Sequence, residues 1–106
     1  MADLTLTKTD AGRIVPANSG DTIIVRLEEN PTTAYLWKVE QLDSRVLELM
    51  SAEYEPAGGG IGGGGTRKMV FRAKESGASQ LLLKCVRPWE PDNPLGAFSI
   101  MVEVRA

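Results

Sequence analysis

Hydrophobic and polar residues alternate with a period of two along most of this chain. The clearest run lies near the C-terminus, where the apolar positions are Phe98, Ile100, Val102 and Val104. Side chains of a β-strand point alternately to opposite faces, so this run predicts a strand with one buried and one solvated face. No segment shows a sustained helical period, and residues 44–50, the best helical candidate, fit a strand equally well.

The alternating runs are separated by segments typical of turns, such as Asn18-Ser19-Gly20. The pattern predicts strands at residues 4–7 (resuming near Ile14), 22–27, 35–39, 47–54, 68–74, 80–86 and 98–104. Short strands and turns in a chain of about 100 residues predict an all-β fold, an immunoglobulin-like antiparallel β-sandwich of about seven to eight strands. We expect residues 1–106 to form a single domain. Trp37 stands where such sandwiches bury a tryptophan, so we expect it to pack in the core.

Three unusual connections are expected to share one end of this sandwich. Connections between successive antiparallel strands alternate between the two ends, so the second, fourth and sixth connections lie together. They are residues 30–35 (NPTTAY), 56–66 (PAGGGIGGGGT) and 87–97 (RPWEPDNPLGA). A rigid sandwich with three distinctive loops at one end indicates a binding surface.

Composition narrows the partners of that surface. The chain has 106 residues, 12 Lys and Arg, 14 Asp and Glu and a formal net charge of −2. Its basic residues are dispersed, which argues against a nucleic-acid partner. No run approaches membrane-spanning length, and the first 13 residues lack a basic stretch followed by an apolar one. We therefore expect no membrane association, with either a cytoplasmic location or, if a leader was removed, a periplasmic or secreted one.

The absence of histidine excludes most hydrolase chemistry. Without it the chain cannot build a Ser-His-Asp triad, a Cys-His pair or a His-based zinc site. Cys85, the single cysteine, lies in an alternating run and is read as a small core residue rather than a reactive thiol. The acids Glu90 and Asp92, and the pair Glu28-Glu29 at a strand end, are interpreted as solvated charges rather than metal ligands or an acid-base pair. We expect no enzymatic activity, no metal and no cofactor.

The first loop is stiff by composition. In Asn30-Pro31-Thr32-Thr33-Ala34-Tyr35 the proline fixes its own φ and pushes the preceding residue out of the helical region. The two threonines are restricted at χ1. The sequence therefore predicts a loop with little flexibility.

The second loop is almost entirely glycine. Seven of the eight residues from 58 to 65 are glycine. A phosphate-binding loop would need a following helix and a Lys-Ser or Lys-Thr pair, whereas Thr66-Arg67 leads into a strand. Two interpretations stay open: a flexible hairpin connection, or a bare backbone surface that pairs with a partner as an extended strand.

The third loop begins with Arg87-Pro88-Trp89. Tryptophan and arginine are enriched at interface hot spots, and proline holds them at a fixed separation. The alternative is that Trp89 folds back as a lid over the end of the core.

These three motifs, in this order, resemble those of the chagasin-type inhibitors of papain-like cysteine peptidases, an immunoglobulin-like family. That family has an NPTTG loop followed by an aromatic residue, a glycine-rich loop and an RPW loop, and the resemblance covers the whole chain. It implies reversible, tight inhibition, with three loops inserted into the active-site cleft and with Thr32 and Thr33 over the catalytic cysteine. The implied contact residues are Asn30, Pro31, Thr32, Thr33, Ala34, Tyr35, Gly58, Gly59, Gly60, Ile61, Gly62, Gly63, Gly64, Gly65, Arg87, Pro88 and Trp89.

One residue departs from the family pattern, because Ala34 stands where the family has glycine. A positive φ there would cost an alanine roughly 1 to 2 kcal/mol. The rival function is an immunoglobulin-like adhesion or assembly module that holds a non-enzymatic protein with the same loops. The target peptidase is not specified by the sequence, and we expect a monomer.

Overall fold

The computed structural model describes residues 2–56 and 64–106. Within them the chain forms eight strands and two short 3-10 turns, at Lys8–Asp10 and Pro31–Thr33. The strands are β1 (Asp3–Leu6), β2 (Ile14–Asn18), β3 (Thr22–Glu29), β4 (Leu36–Gln41), β5 (Leu47–Pro56), β6 (Gly65–Ala73), β7 (Gly77–Val86) and β8 (Gly96–Arg105). In residues 2–56 and 64–106, no helix is long and apolar enough to cross a membrane.

The strands form two four-stranded sheets, in the orders β1-β3-β6-β5 and β2-β8-β7-β4. This confirms the predicted all-β sandwich. The pairs β3–β6, β5–β6, β4–β7 and β7–β8 are antiparallel, as predicted. The two N-terminal strands differ, because β1 pairs with β3 and β2 pairs with β8 in parallel. The predicted resumption near Ile14 is thus a separate strand: after β1 the chain crosses to the other sheet and adds β2 to its edge.

The core lies between the sheets and comes from the alternating positions. Its fully buried side chains include Ile23, Val25, Leu47, Phe71, Leu81, Leu83, Phe98, Ile100 and Val102. Cys85 is also buried, as predicted. Burial, and to a lesser extent the negative charge of Glu29, raises the pKa of the Cys85 thiol. Because the thiolate is the reactive form, this cysteine serves as a packing residue.

A buried carboxylate fastens the N-terminus to the sandwich. Asp21 is 4 % exposed and accepts backbone N–H bonds from Ala2 and Asn18, each at 2.9 Å. These two bonds are the main reason that the pKa of Asp21 is lowered. The residue therefore stabilises the fold when ionised, and holds the first strand beside the turn that precedes β3.

We expect Asp21→Asn to lower the thermal unfolding midpoint at neutral pH and to flatten its fall in acid. A lowered folded-state pKa gives stability above the unfolded value of about 4, which is lost as the pH falls through the folded value. Thermal unfolding followed by circular dichroism between pH 2 and 7 would measure this, with the exposed loop variant Asp92→Asn as the control. Identical acid profiles for wild type and Asp21→Asn would contradict the assignment.

Candidate functional site

Two of the three predicted loops are in direct contact at one end of the sandwich. The loop between β3 and β4 meets the loop between β7 and β8 where Arg87 Nε donates a hydrogen bond of 3.2 Å to the Thr33 carbonyl oxygen. The described end of the glycine loop lies beside them, because Gly65 pairs with Glu29 across β6 and β3. The contact residues Gly58, Gly59, Gly60, Ile61, Gly62 and Gly63 lie outside the described residues.

The loop at residues 30–35 is closed by hydrogen bonds of its own. Asn30 Oδ1 accepts from the backbone N–H of Thr32 at 3.1 Å and from its hydroxyl at 2.6 Å. The Asn30 carbonyl oxygen accepts from the backbone N–H of Thr33 at 3.1 Å and from its hydroxyl at 2.7 Å. Asparagine commonly closes turns in this way. Both threonines are exposed yet internally bonded, so the predicted stiffness has a second source, the side chain of Asn30.

Ala34, which stands where the family has glycine, has a left-handed backbone conformation. Its φ is +64°, and it is the one non-glycine residue with positive φ within 2–56 and 64–106. An L-residue there brings its Cβ close to the following carbonyl oxygen. The loop thus keeps a conformation suited to glycine while carrying alanine, which stores strain beside the two threonines.

Arg87 joins the two loops through its whole guanidinium group. Besides its bond to Thr33, it lies over the Tyr35 ring, with Cζ 4.4 Å from the ring centroid, and 6.0 Å from the centroid of Trp89. Its Nη1 is 3.4 Å from Glu90 Oε1. Trp89 itself is 67 % exposed. The lid interpretation is therefore wrong, and the indole is presented to solvent.

Sequence interpretation missed the residue beneath these loops. Glu29, read as a solvated strand-end charge, is 4 % exposed. Its carboxylate binds the Arg67 guanidinium, with Nη2 2.6 Å from Oε1 and Nε 3.1 Å from Oε2, and accepts the Trp37 backbone N–H at 2.8 Å. A signal existed, because Glu29 continues the buried alternation of Ile23, Val25 and Leu27.

Trp37 packs partly against the core, and its indole N–H donates a 2.8 Å bond to the Glu28 carbonyl oxygen. The predicted core position therefore also fastens the loop at its base. Glu28 is exposed, as its interpretation as a solvated charge required.

The exit of the glycine loop is shaped by close packing. At Gly65, a Cβ would overlap the Glu55 carbonyl oxygen and would lie 2.5 Å from the Tyr54 hydroxyl oxygen. At Gly64 it would lie 3.3 Å from the Glu29 carbonyl oxygen. Glycine at position 65 is therefore required by the approach of neighbouring strand and ring, whatever the role of the loop in binding.

Comparison with known proteins assigns this arrangement to a class. A model described as chagasin family peptidase inhibitor I42 matches residues 17–102. The chain belongs to the chagasin family of peptidase inhibitors, and so to a class of inhibitors rather than enzymes.

Individual relatives agree over nearly the full length. Amoebiasin-1 of Entamoeba histolytica is 26 % identical over 104 residues, which cover 96 % of this chain and 100 % of the relative. The solution structure of Amebosin is 27 % identical with a TM-score of 0.80, covering 96 % of this chain and 97 % of that one. The crystal structure of the cysteine protease inhibitor EhICP2 from Entamoeba histolytica has a TM-score of 0.85 at 24 % identity, covering 99 % and 97 %.

We expect Ala34→Gly to raise the free energy of unfolding by about 1 kcal/mol, because glycine relieves the left-handed strain. Chemical denaturation would measure it. The matched control is Ala11→Gly, an exposed alanine at φ −55°, where glycine should lower stability by about 0.5 kcal/mol through unfolded-state entropy. Equal effects at both positions would show that the left-handed conformation of Ala34 carries no strain.

Proposed function

We propose that this chain is a reversible, tight-binding inhibitor of papain-like cysteine peptidases that acts as one domain and inserts three loops into the active-site cleft. The observation that carries the proposal is the Arg87 contact, which holds the loop at residues 30–35 and the loop beginning at Arg87 as one surface before any partner arrives. Family membership supports it. So does a solved structure of PbICP-C in complex with falcipain-2, which this fold matches with a TM-score of 0.72 at 16 % identity, covering 99 % of this chain and 100 % of that one.

The proposed centre of the contact is the 3-10 turn Pro31–Thr33. Thr32 and Thr33 would lie over the catalytic cysteine of the peptidase. The Asn30 carbonyl is engaged by two donors from Thr33, and the turn is curled rather than extended. A nucleophile needs its target carbonyl in a near-attack geometry, so such a turn blocks the cysteine without offering an aligned peptide bond. The inhibitor would therefore dissociate from the peptidase without being cleaved.

Trp89 is the proposed anchor on one side of the cleft. Tryptophan is among the residues most enriched at interface hot spots. Arg87 lies beside it, with Cζ 6.0 Å from the centroid of the Trp89 ring, and Arg87 is itself packed on Tyr35. Pro88 lies between Arg87 and Trp89 in the sequence, and its ring restricts the backbone φ there.

The glycine loop is the proposed contact on the other side. Residues 58–65 would present backbone without side chains, which suits pairing with the edge of the cleft. The described residues contribute its exit, where Gly64 and Gly65 lie against Glu29, Tyr54 and Glu55.

An adhesion or assembly module would use the same loops, so loop variants alone do not separate the two functions. Competition does, because only an inhibitor of this kind must occupy the cleft. We expect the chain to lose binding to papain once the enzyme is blocked by an active-site-directed covalent ligand. Undiminished binding to the blocked enzyme, measured by calorimetry, would reject the cleft as the site.

We expect Trp89→Ala to weaken inhibition of papain by at least about 30-fold, the equivalent of a hot spot of about 2 kcal/mol. Leu95→Ala is the matched control, because Leu95 lies in the same loop and is also 67 % exposed. Inhibition constants from hydrolysis of a fluorogenic peptide would compare them. Equal small effects of both changes would remove Trp89 from the contact.

A further inference from the structure

A buried ion pair lies directly beneath the loop at residues 30–35 and makes no proposed contact with a peptidase. The Glu29 side chain is fully buried and that of Arg67 is 18 % exposed. Burying a carboxylate is costly unless it is paired and hydrogen-bonded. An apolar side chain at this position would avoid that cost. The contacts of the pair therefore indicate a role other than stability.

Glu29 ties together the two ends of the loop. It is the last residue of β3, and its Oε2 accepts the backbone N–H of Trp37, eight residues later in β4. A second bond closes the same gap, from the Trp37 indole N–H to the Glu28 carbonyl oxygen. Because β3 and β4 belong to different sheets, no ladder hydrogen bonds join them, and these two bonds fix the separation of the loop ends.

Arg67 fixes the carboxylate in turn. Its guanidinium binds both oxygens of Glu29 and donates from Nη1 to the Ala52 carbonyl oxygen at 3.1 Å. It also lies over Tyr54, with Cζ 5.6 Å from the ring centroid. Arg67 follows the glycine loop by two residues, on β6. One ion pair therefore sets the base of the loop at residues 30–35 relative to the exit of the glycine loop.

We propose that Glu29 is a positioning residue for inhibition: held by Arg67, it fixes the loop at residues 30–35 in the shape that a peptidase binds but does not cleave. The proposal rests on the proposed function. It assigns the resistance of the loop to cleavage to a group outside the contact surface. With the loop ends free, residues 31–34 can extend toward a substrate-like backbone, which lowers affinity and exposes a peptide bond to attack.

The test compares three variants with the wild type against papain. The double variant Glu29→Leu/Arg67→Met replaces the ion pair by apolar side chains, a change that often preserves stability, but it offers no acceptor to Trp37. Glu29→Gln keeps one acceptor oxygen and loses the charge. Val104→Ala truncates the core at the opposite end of the β7–β8 hairpin, where Val104 pairs with Gly77.

We expect the double variant to bind papain up to about 100-fold more weakly, because a loop that is no longer held must be ordered on binding. The loss should appear mainly as faster dissociation. Mass spectrometry should find it cleaved within residues 30–36, whereas the wild type stays intact. Glu29→Gln should lie between the two, because it retains the Trp37 bond. If the double variant does not fold, Glu29→Gln carries the same comparison with the wild type.

Two results would overturn the positioning role. One is wild-type affinity and an uncleaved loop in the folded double variant. The other is an equal loss of affinity and equal cleavage in Val104→Ala at a matched thermal midpoint, which would show that stability alone is responsible.

Hydrogen exchange in the free protein separates this proposal from the proposed function. The Trp37 backbone amide should exchange faster in the double variant than in the wild type, relative to Val39 in the same strand. If the wild type does not inhibit papain, the proposed function fails for that enzyme, and this measurement still decides whether Glu29 fixes the loop. Unchanged exchange of the Trp37 amide would overturn the positioning role on its own.

Discussion

The loop end of this sandwich depends on one buried ion pair. Glu29 and Arg67 connect the end of β3, the start of β4 and the beginning of β6, and they do so across the gap between two sheets that share no ladder hydrogen bonds. A buried pair of this kind contributes little net stability compared with apolar replacements. What it provides is a fixed geometry, since three N–H donors hold the Glu29 carboxylate in one orientation. The base of the loop at residues 30–35 and the exit of the glycine loop are positioned by it.

Above the pair, two more groups convert flexible chain into a fixed surface. Asn30 closes the turn at Pro31–Thr33 with its side chain and its carbonyl. Arg87 bonds the Thr33 carbonyl oxygen and lies over the Tyr35 ring, which joins the turn to the loop that carries Trp89. Ordering a surface before binding reduces the entropy lost on association. The strained, left-handed conformation of Ala34 accompanies this ordering, and the hydrogen bonds of Thr33 and Tyr35 on either side hold it in place. A peptidase inhibitor gains twice from such a surface, in affinity and in resistance to attack.

Much of this could be read from the sequence, because a period of two and the parity of connections specify which loops meet. Two features could not. One is the parallel pairing of β1 with β3 and of β2 with β8, because alternation shows which face a side chain lies on and not which strand is the neighbour. The other is the ion pair of Glu29: the alternation of β3 does place Glu29 on the buried face, but not its partner. The partner that makes its burial tolerable, Arg67, lies 38 residues away, and no local pattern indicates that pairing.

The most direct measurement is a crystal structure of the one-to-one complex with papain. The account predicts that residues 30–36 bind with their backbone within about 1 Å of the free conformation, as in preorganised complexes, with Thr32 and Thr33 over the catalytic cysteine. The Glu29 bonds to Trp37 and Arg67 should be retained. A complex in which this loop is rearranged, in which Glu29 has released Trp37, or in which another face of the sandwich meets the enzyme would contradict it.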